Sequence, residues 1–124
     1  MNISIVNNQS LRTIAVTIAL FSLIFIAASG GNFQKASFKV QGNCSMCKKR
    51  IESALQVNGV MAALWNPDSK MLKVKYEPAK ISVAKMRELV AKAGYDSDSL
   101  KAATEDYNRL EKCCQYRSGK CEHR

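Results

Sequence analysis

Polar and apolar residues alternate most cleanly from Met71 to Glu77, where Leu72, Val74 and Tyr76 interleave with Lys73, Lys75 and Glu77. A period of two puts neighbouring side chains on opposite faces, so this stretch predicts a strand with one buried face. Val60–Trp65 predicts a second strand. Asn66-Pro67-Asp68-Ser69-Lys70 between them is rich in turn formers, and the pair predicts an antiparallel hairpin. Upstream, Ala36–Gln41 predicts the first strand, with Phe38 and Val40 on one face. The period then changes. Ile51, Ala54 and Leu55 form a core-facing stripe in a helix predicted from about Ser45 to Val57 and closed by Asn58-Gly59. Val83, Met86, Val90 and Ala93 share one face of a second helix, Val83–Ala93, with Ser82 as its N-cap and Gly94 at its end.

Beyond Gly94 the pattern weakens. Tyr95–Leu100 predicts a short, poor fourth strand because Asp and Ser interrupt it. Thr104 predicts another N-cap, with a third helix from Glu105 to about Cys113 carrying Tyr107 and Leu110 on its apolar side. Residues 115–124 read as a mobile tail. The order strand–helix–strand–strand–helix–strand predicts an α+β, ferredoxin-like βαββαβ sandwich, an antiparallel sheet with both helices on one face. The expected organisation is a signal peptide over residues 1–30, a linker over 31–35, the sandwich over 36–101, and a Cys-containing C-terminal helix and tail over 102–124.

The signal-peptide expectation rests on Ile14–Ala28, an apolar run broken only by Thr17 and Ser22, followed by the small residues Ala27-Ala28-Ser29-Gly30. The run is shorter than the roughly 20 apolar residues of a membrane span. Export to the periplasm or the exterior follows, with membrane association only if the segment stays uncleaved. With Arg12 set aside, 18 Lys and Arg face 10 Asp and Glu, an excess of eight positive charges. Export argues against a nucleic-acid partner, and the dispersed lysines read as a solvated surface.

The candidate chemistry is Cys44-Ser45-Met46-Cys47. It sits where the first strand gives way to the first helix, so both sulfurs fall at a helix N-terminus, where backbone amides and the dipole favour thiolate. Two such thiolates suit a soft ion of low coordination number. Lys48, Lys49 and Arg50 crowd the wrong end of a helix for cations, which either serves a negatively charged site or reflects simple exposure to water. Three further cysteines follow: Cys113, Cys114 and Cys121. These cysteines either add ligands, four thiolates favouring Zn(II), form a tail disulfide such as Cys114–Cys121, or make a separate scavenging patch; His123 reads as a solvated tail residue rather than a further ligand.

In this setting the chain resembles the heavy-metal-associated domain, the fold of copper chaperones and periplasmic mercury-binding proteins. The matching residues are Cys44-Ser45-Met46-Cys47, Ile51, Leu55, Gly59-Val60, Leu72-Val74-Tyr76 and Gly94-Tyr95-Asp96, and the resemblance spans about residues 36–100. It implies that Cys44 and Cys47 are metal ligands and that Tyr95 packs close to the metal loop. It further implies Cu(I) as the usual ion, with Hg(II) or Zn(II) as alternatives. The family usually has Gly-Met-Thr before the first cysteine. Here Gln41-Gly42-Asn43 stands instead, and Met46 between the cysteines reads as a packing side chain.

The expected function is sequestration or shuttling of a thiophilic ion by ligand exchange. The expected partners are the metal ion and a metal-transporting membrane protein or another metal-binding protein. The alternative is a thiol–disulfide redox module using Cys44 and Cys47, although no aromatic residue precedes Cys44 in the manner of thioredoxin-like sites. A basic adaptor with a purely structural Cys44–Cys47 disulfide is the third reading. No acid/base pair, Ser-His-Asp set or phosphate loop points to an enzyme.

Overall fold

A computed structural model describes residues 30–119. Residues 1–29 of the expected signal peptide, Cys121 and His123 therefore lie outside the described residues. The elements are β1 (Gln34–Lys39), α1 (Ser45–Ala54), β2 (Val60–Trp65), β3 (Met71–Tyr76), α2 (Val83–Lys92) and a short α3 (Thr104–Asn108). Two single-turn 3-10 helices, Lys112–Cys114 and Tyr116–Ser118, complete the described chain. No helix among the described residues is long and apolar enough to cross a membrane.

The sheet is antiparallel in the order β1-β3-β2. Phe38 lies opposite Leu72 and Ala36 opposite Val74; on the other side of β3, Trp65 lies opposite Leu72. The alternation in β3 does what its period predicts: Leu72, Val74 and Tyr76 are buried while Lys73 and Lys75 are exposed. The buried face meets Ile51 of α1, Leu55 at its C-cap, and Met86 and Val90 of α2 in one core. Both helices thus cover the same face, as expected for the ferredoxin-like sandwich. Ser82 caps α2, its Oγ accepting from the Lys85 amide at 3.1 Å.

Three local expectations need correction. First, α1 ends at Ala54, not near Val57, and Val57 and Asn58 are exposed. The chain must leave the helix early to lay Gly59 against Lys80 and Ile81. At φ +96°, a Cβ on Gly59 would come within 2.8 Å of Lys80 Cβ. Second, the fourth strand shrinks to one bridge, Val40 opposite Ser97. The Gln41 amide donates to Asp96 O and the Asp98 amide to Lys39 O, at 2.8 and 3.0 Å. The Ser97 amide then turns back onto Leu100 O at 2.8 Å, so the strand stops where its Asp and Ser residues find local partners. Third, the predicted third helix is only five residues long, and Ala103 rather than Thr104 stands at its N-cap with no side-chain hydrogen bond.

The segment 115–119 is not a free tail. The Tyr116 ring stacks on Tyr95 at 5.9 Å between centroids and meets Tyr107 edge-on at 5.2 Å. Its hydroxyl accepts from the Asp96 amide at 2.8 Å and donates to Gly94 O at 3.1 Å. Arg117 donates twice to the Asp96 carboxylate, at 3.0 and 2.6 Å. Gly94, at φ +98°, lets the extension come close: a Cβ there would meet Leu110 Cγ at 2.8 Å.

Burial would raise the Asp96 pKa, but the Arg117 hydrogen bonds and the Ala102 amide outweigh it and hold the carboxyl below its usual range. Because the folded pKa is depressed, this stabilisation is present above the unfolded value of about 3.9 and is lost as pH falls through the lower folded value. Asp96→Asn should cost about 2 kcal/mol at neutral pH in denaturant unfolding, as charge-assisted hydrogen bonds do. The gap from the parent should narrow as pH falls below about 4 and close once pH is below the depressed folded value, where the parent carboxyl is also neutral. A gap that persists in acid would mean that the loss lies elsewhere.

Candidate metal centre

The residues Cys44 to Cys47 make the junction between sheet and helix. Cys44 is the N-cap of α1 in extended backbone, φ −147°, and its sulfur accepts from the Cys47 amide at 3.3 Å. A thiol thus fills the position usually held by Ser, Thr, Asp or Asn. The Cys44 and Cys47 sulfurs are 3.1 Å apart, and Cys47 Sγ lies 3.2 Å from Asn43 Oδ1, to which it donates. Trp65 supports this loop from below. Its Nε1 donates to Val40 O at 3.0 Å, and its ring lies where a Cβ on Gly42 would be 3.0 Å away. Lys70 Nζ reaches Gly42 O and sits 5.6 Å from the Trp65 ring centroid.

A third sulfur joins the pair. Cys114, in the first 3-10 turn, is fully buried with Sγ 3.8 Å from Cys44 Sγ. The sulfurs of Cys44, Cys47 and Cys114 all lie within 4.8 Å of one another. Cys44, Cys47 and Cys114 are all free thiols. Cys113 stands outside this group, half-buried, with its sulfur 3.9 Å from Cys114 Sγ.

The helix start does not treat its two thiols alike. Burial pushes Cys47 up, but hydrogen bonds from the Asn43 backbone, the Cys44 thiol and the Cys44 backbone outweigh it and leave Cys47 below the ordinary thiol range. Cys44 is raised by its own burial and by sharing a hydrogen bond with Cys47. The thiolate expected at both positions is therefore favoured at Cys47 alone; a second negative charge beside it is opposed. Cys114 is raised by burial and by the Cys47 neighbour. Tyr95 is fully buried, and its hydroxyl, raised by burial and then by the charge of Cys47 and Cys114, stays neutral. Those sulfurs lie near enough to act on it electrostatically, yet the hydroxyl makes no hydrogen bond of ordinary geometry.

Two of the three cations of the first turn are already engaged, while Lys49 is exposed. Lys48 pairs with Glu52 and donates to Trp65 O at 2.9 Å, while Arg50 bridges to Glu111 of the extension at 2.9 Å. Met46 is 40 % exposed and packs no core.

The heavy-metal-associated domain matches residues 37–96. A copper chaperone, CopZ, of Staphylococcus epidermidis is 38 % identical over 60 residues, covering 47 % of this chain and 88 % of the chaperone. The chain belongs to the heavy-metal-associated domain family. Oxidised MerP from Ralstonia metallidurans CH34 superposes with a TM-score of 0.51 at 31 % identity, over 53 % of this chain and 94 % of MerP. The N-terminal domain of a potential copper-translocating P-type ATPase from Bacillus subtilis, solved in its Cu(I)-loaded state, gives 0.50 at 33 % identity, over 57 % and 99 %. In this heavy-metal-associated chain Tyr95 does lie at the cysteine loop, as the resemblance implied. Cys114 lies beyond the family match, and the adjacent pair Cys113-Cys114 carries no spacing that marks which sulfur turns inward.

An unpartnered hydroxyl gives nothing up when it is removed. Tyr95→Phe in the reduced, metal-free protein should therefore leave stability within about 0.5 kcal/mol of the parent, or raise it. A loss above about 1 kcal/mol in denaturant unfolding would show that the hydroxyl has a partner.

Proposed function

We propose that this chain binds Cu(I) through Cys44 and Cys47 and passes it on by thiolate exchange. The observation that carries this reading is the pair of sulfurs 3.1 Å apart at the start of α1, one held toward thiolate and the other half-exposed. Among the described residues no carboxylate or imidazole joins the three sulfurs, and soft thiolates select a soft ion. Cys44 is the side from which an incoming thiol can attack, since Cys47 is fully buried. The copper-chaperone and Cu(I)-loaded ATPase-domain relatives support Cu(I) over Hg(II) or Zn(II) as cargo. They also support a metal-transporting membrane protein or a second metal-binding protein as the partner. The apolar N-terminal run supports an exported protein working in the periplasm or outside the cell. Carrying and handing over an ion requires no catalytic group.

Titration of the reduced protein with Cu(I) against a competing chelator should show one ion bound per chain. The double variant Cys44→Ser/Cys47→Ser should weaken binding by more than about 100-fold, because even changes outside the ligand set commonly cost about 10–100-fold. Undiminished binding by the double variant would sink the proposal. The same sulfur pair is placed to form a disulfide, so the redox reading is tested in parallel: rapid exchange with a test disulfide, together with negligible Cu(I) affinity, would favour it.

A further inference from the structure

The C-terminal extension lies outside the family match, yet it is tied down on every side of one cysteine. Glu111 reaches Arg50 of α1, the Cys114 amide donates to Glu111 O at 2.7 Å, and Tyr116 and Arg117 are fixed to Tyr95 and Asp96. Between these anchors Cys114 turns fully inward, onto the sulfurs of Cys44 and Cys47. A buried cysteine is often only a small apolar filler. Filling alone does not explain why its sulfur converges on two others, nor why the buried Tyr95 hydroxyl, close enough to the sulfurs of Cys47 and Cys114 to feel their charge, makes no hydrogen bond of ordinary geometry. A negatively charged sulfur cluster would supply the missing acceptor.

We infer that Cys114 is a third ligand, so that the chain encloses Cu(I) in a three-thiolate site closed by its own C-terminal extension. This rests on the reading of Cys44 and Cys47 as ligands and adds to it. Each ligating thiol releases its proton to water, no electron is transferred, and the loaded centre carries net negative charge. The Tyr95 hydroxyl then donates to it. A third internal thiolate competes with any incoming one, so the site retains its ion more tightly and releases it more slowly than the two-cysteine pair alone.

X-ray absorption on the full reduced chain carrying one Cu(I) should give three sulfur neighbours. Cys114→Ser should give two and weaken chelator-competed affinity by about tenfold or more. It should also speed transfer to a thiol acceptor. Cys113→Ser should keep three. Two sulfurs in the parent would overturn the inference while leaving the Cys44/Cys47 reading intact; failure of the parent to bind Cu(I) at all would remove that reading itself. Three sulfurs persisting in Cys114→Ser would also overturn it. The parent spectrum decides even if Cys114→Ser folds poorly, and Cys114→Ala provides a second variant with no oxygen to take the ligand position.

Discussion

Two thiols at the rim of a small sandwich stay in register only if the loop bearing them is held from beneath, and Trp65 is what holds it. The indole spans from the end of β2 to Val40, just beyond β1, bonding Val40 O while its ring fills the space a side chain at Gly42 would need. Glu52 secures the same corner from the helix, accepting the Trp65 amide at 2.9 Å and the Lys48 ammonium. Sheet, loop and helix therefore meet at one aromatic ring. The family's usual Gly-Met-Thr is absent before Cys44, so the loop depends on this ring, on Lys70 and on Asn43.

On the other side of the loop the support is Tyr95. It is packed between the sulfurs and Tyr116, with Tyr107 edge-on behind. The extension thus completes a second aromatic wall, and the latch between Asp96 and Arg117 sits at its foot. Two of the charges of the first helical turn, which look misplaced by dipole arguments alone, serve this architecture. Lys48 fastens helix to sheet, and Arg50 fastens helix to extension.

The regular part of this fold was legible in the sequence because its residues obey a single period. Leu72, Val74 and Tyr76 announce their face, and Ser82 announces its cap. The parts that were not legible depend on contacts between distant segments. Residues 115–119 carry polar and aromatic residues with no period, and only the meeting of Tyr116 with Tyr95 and Arg117 with Asp96 makes them ordered structure. Cys44 and Cys47 could be singled out from spacing alone. That Cys114 rather than Cys113 faces them depends on which side of one 3-10 turn points inward, and neither composition nor periodicity records that.

Cys44 and Cys114 are separated by 70 positions along the chain. Closing so long a loop carries an entropic cost that local contacts cannot offset early in folding. A polypeptide emerging from its N-terminal end therefore displays the first two sulfurs while the third does not yet exist. The complete trio is thus also a mark of a finished chain: a product cut short before residue 114 keeps the pair but not the closed cluster.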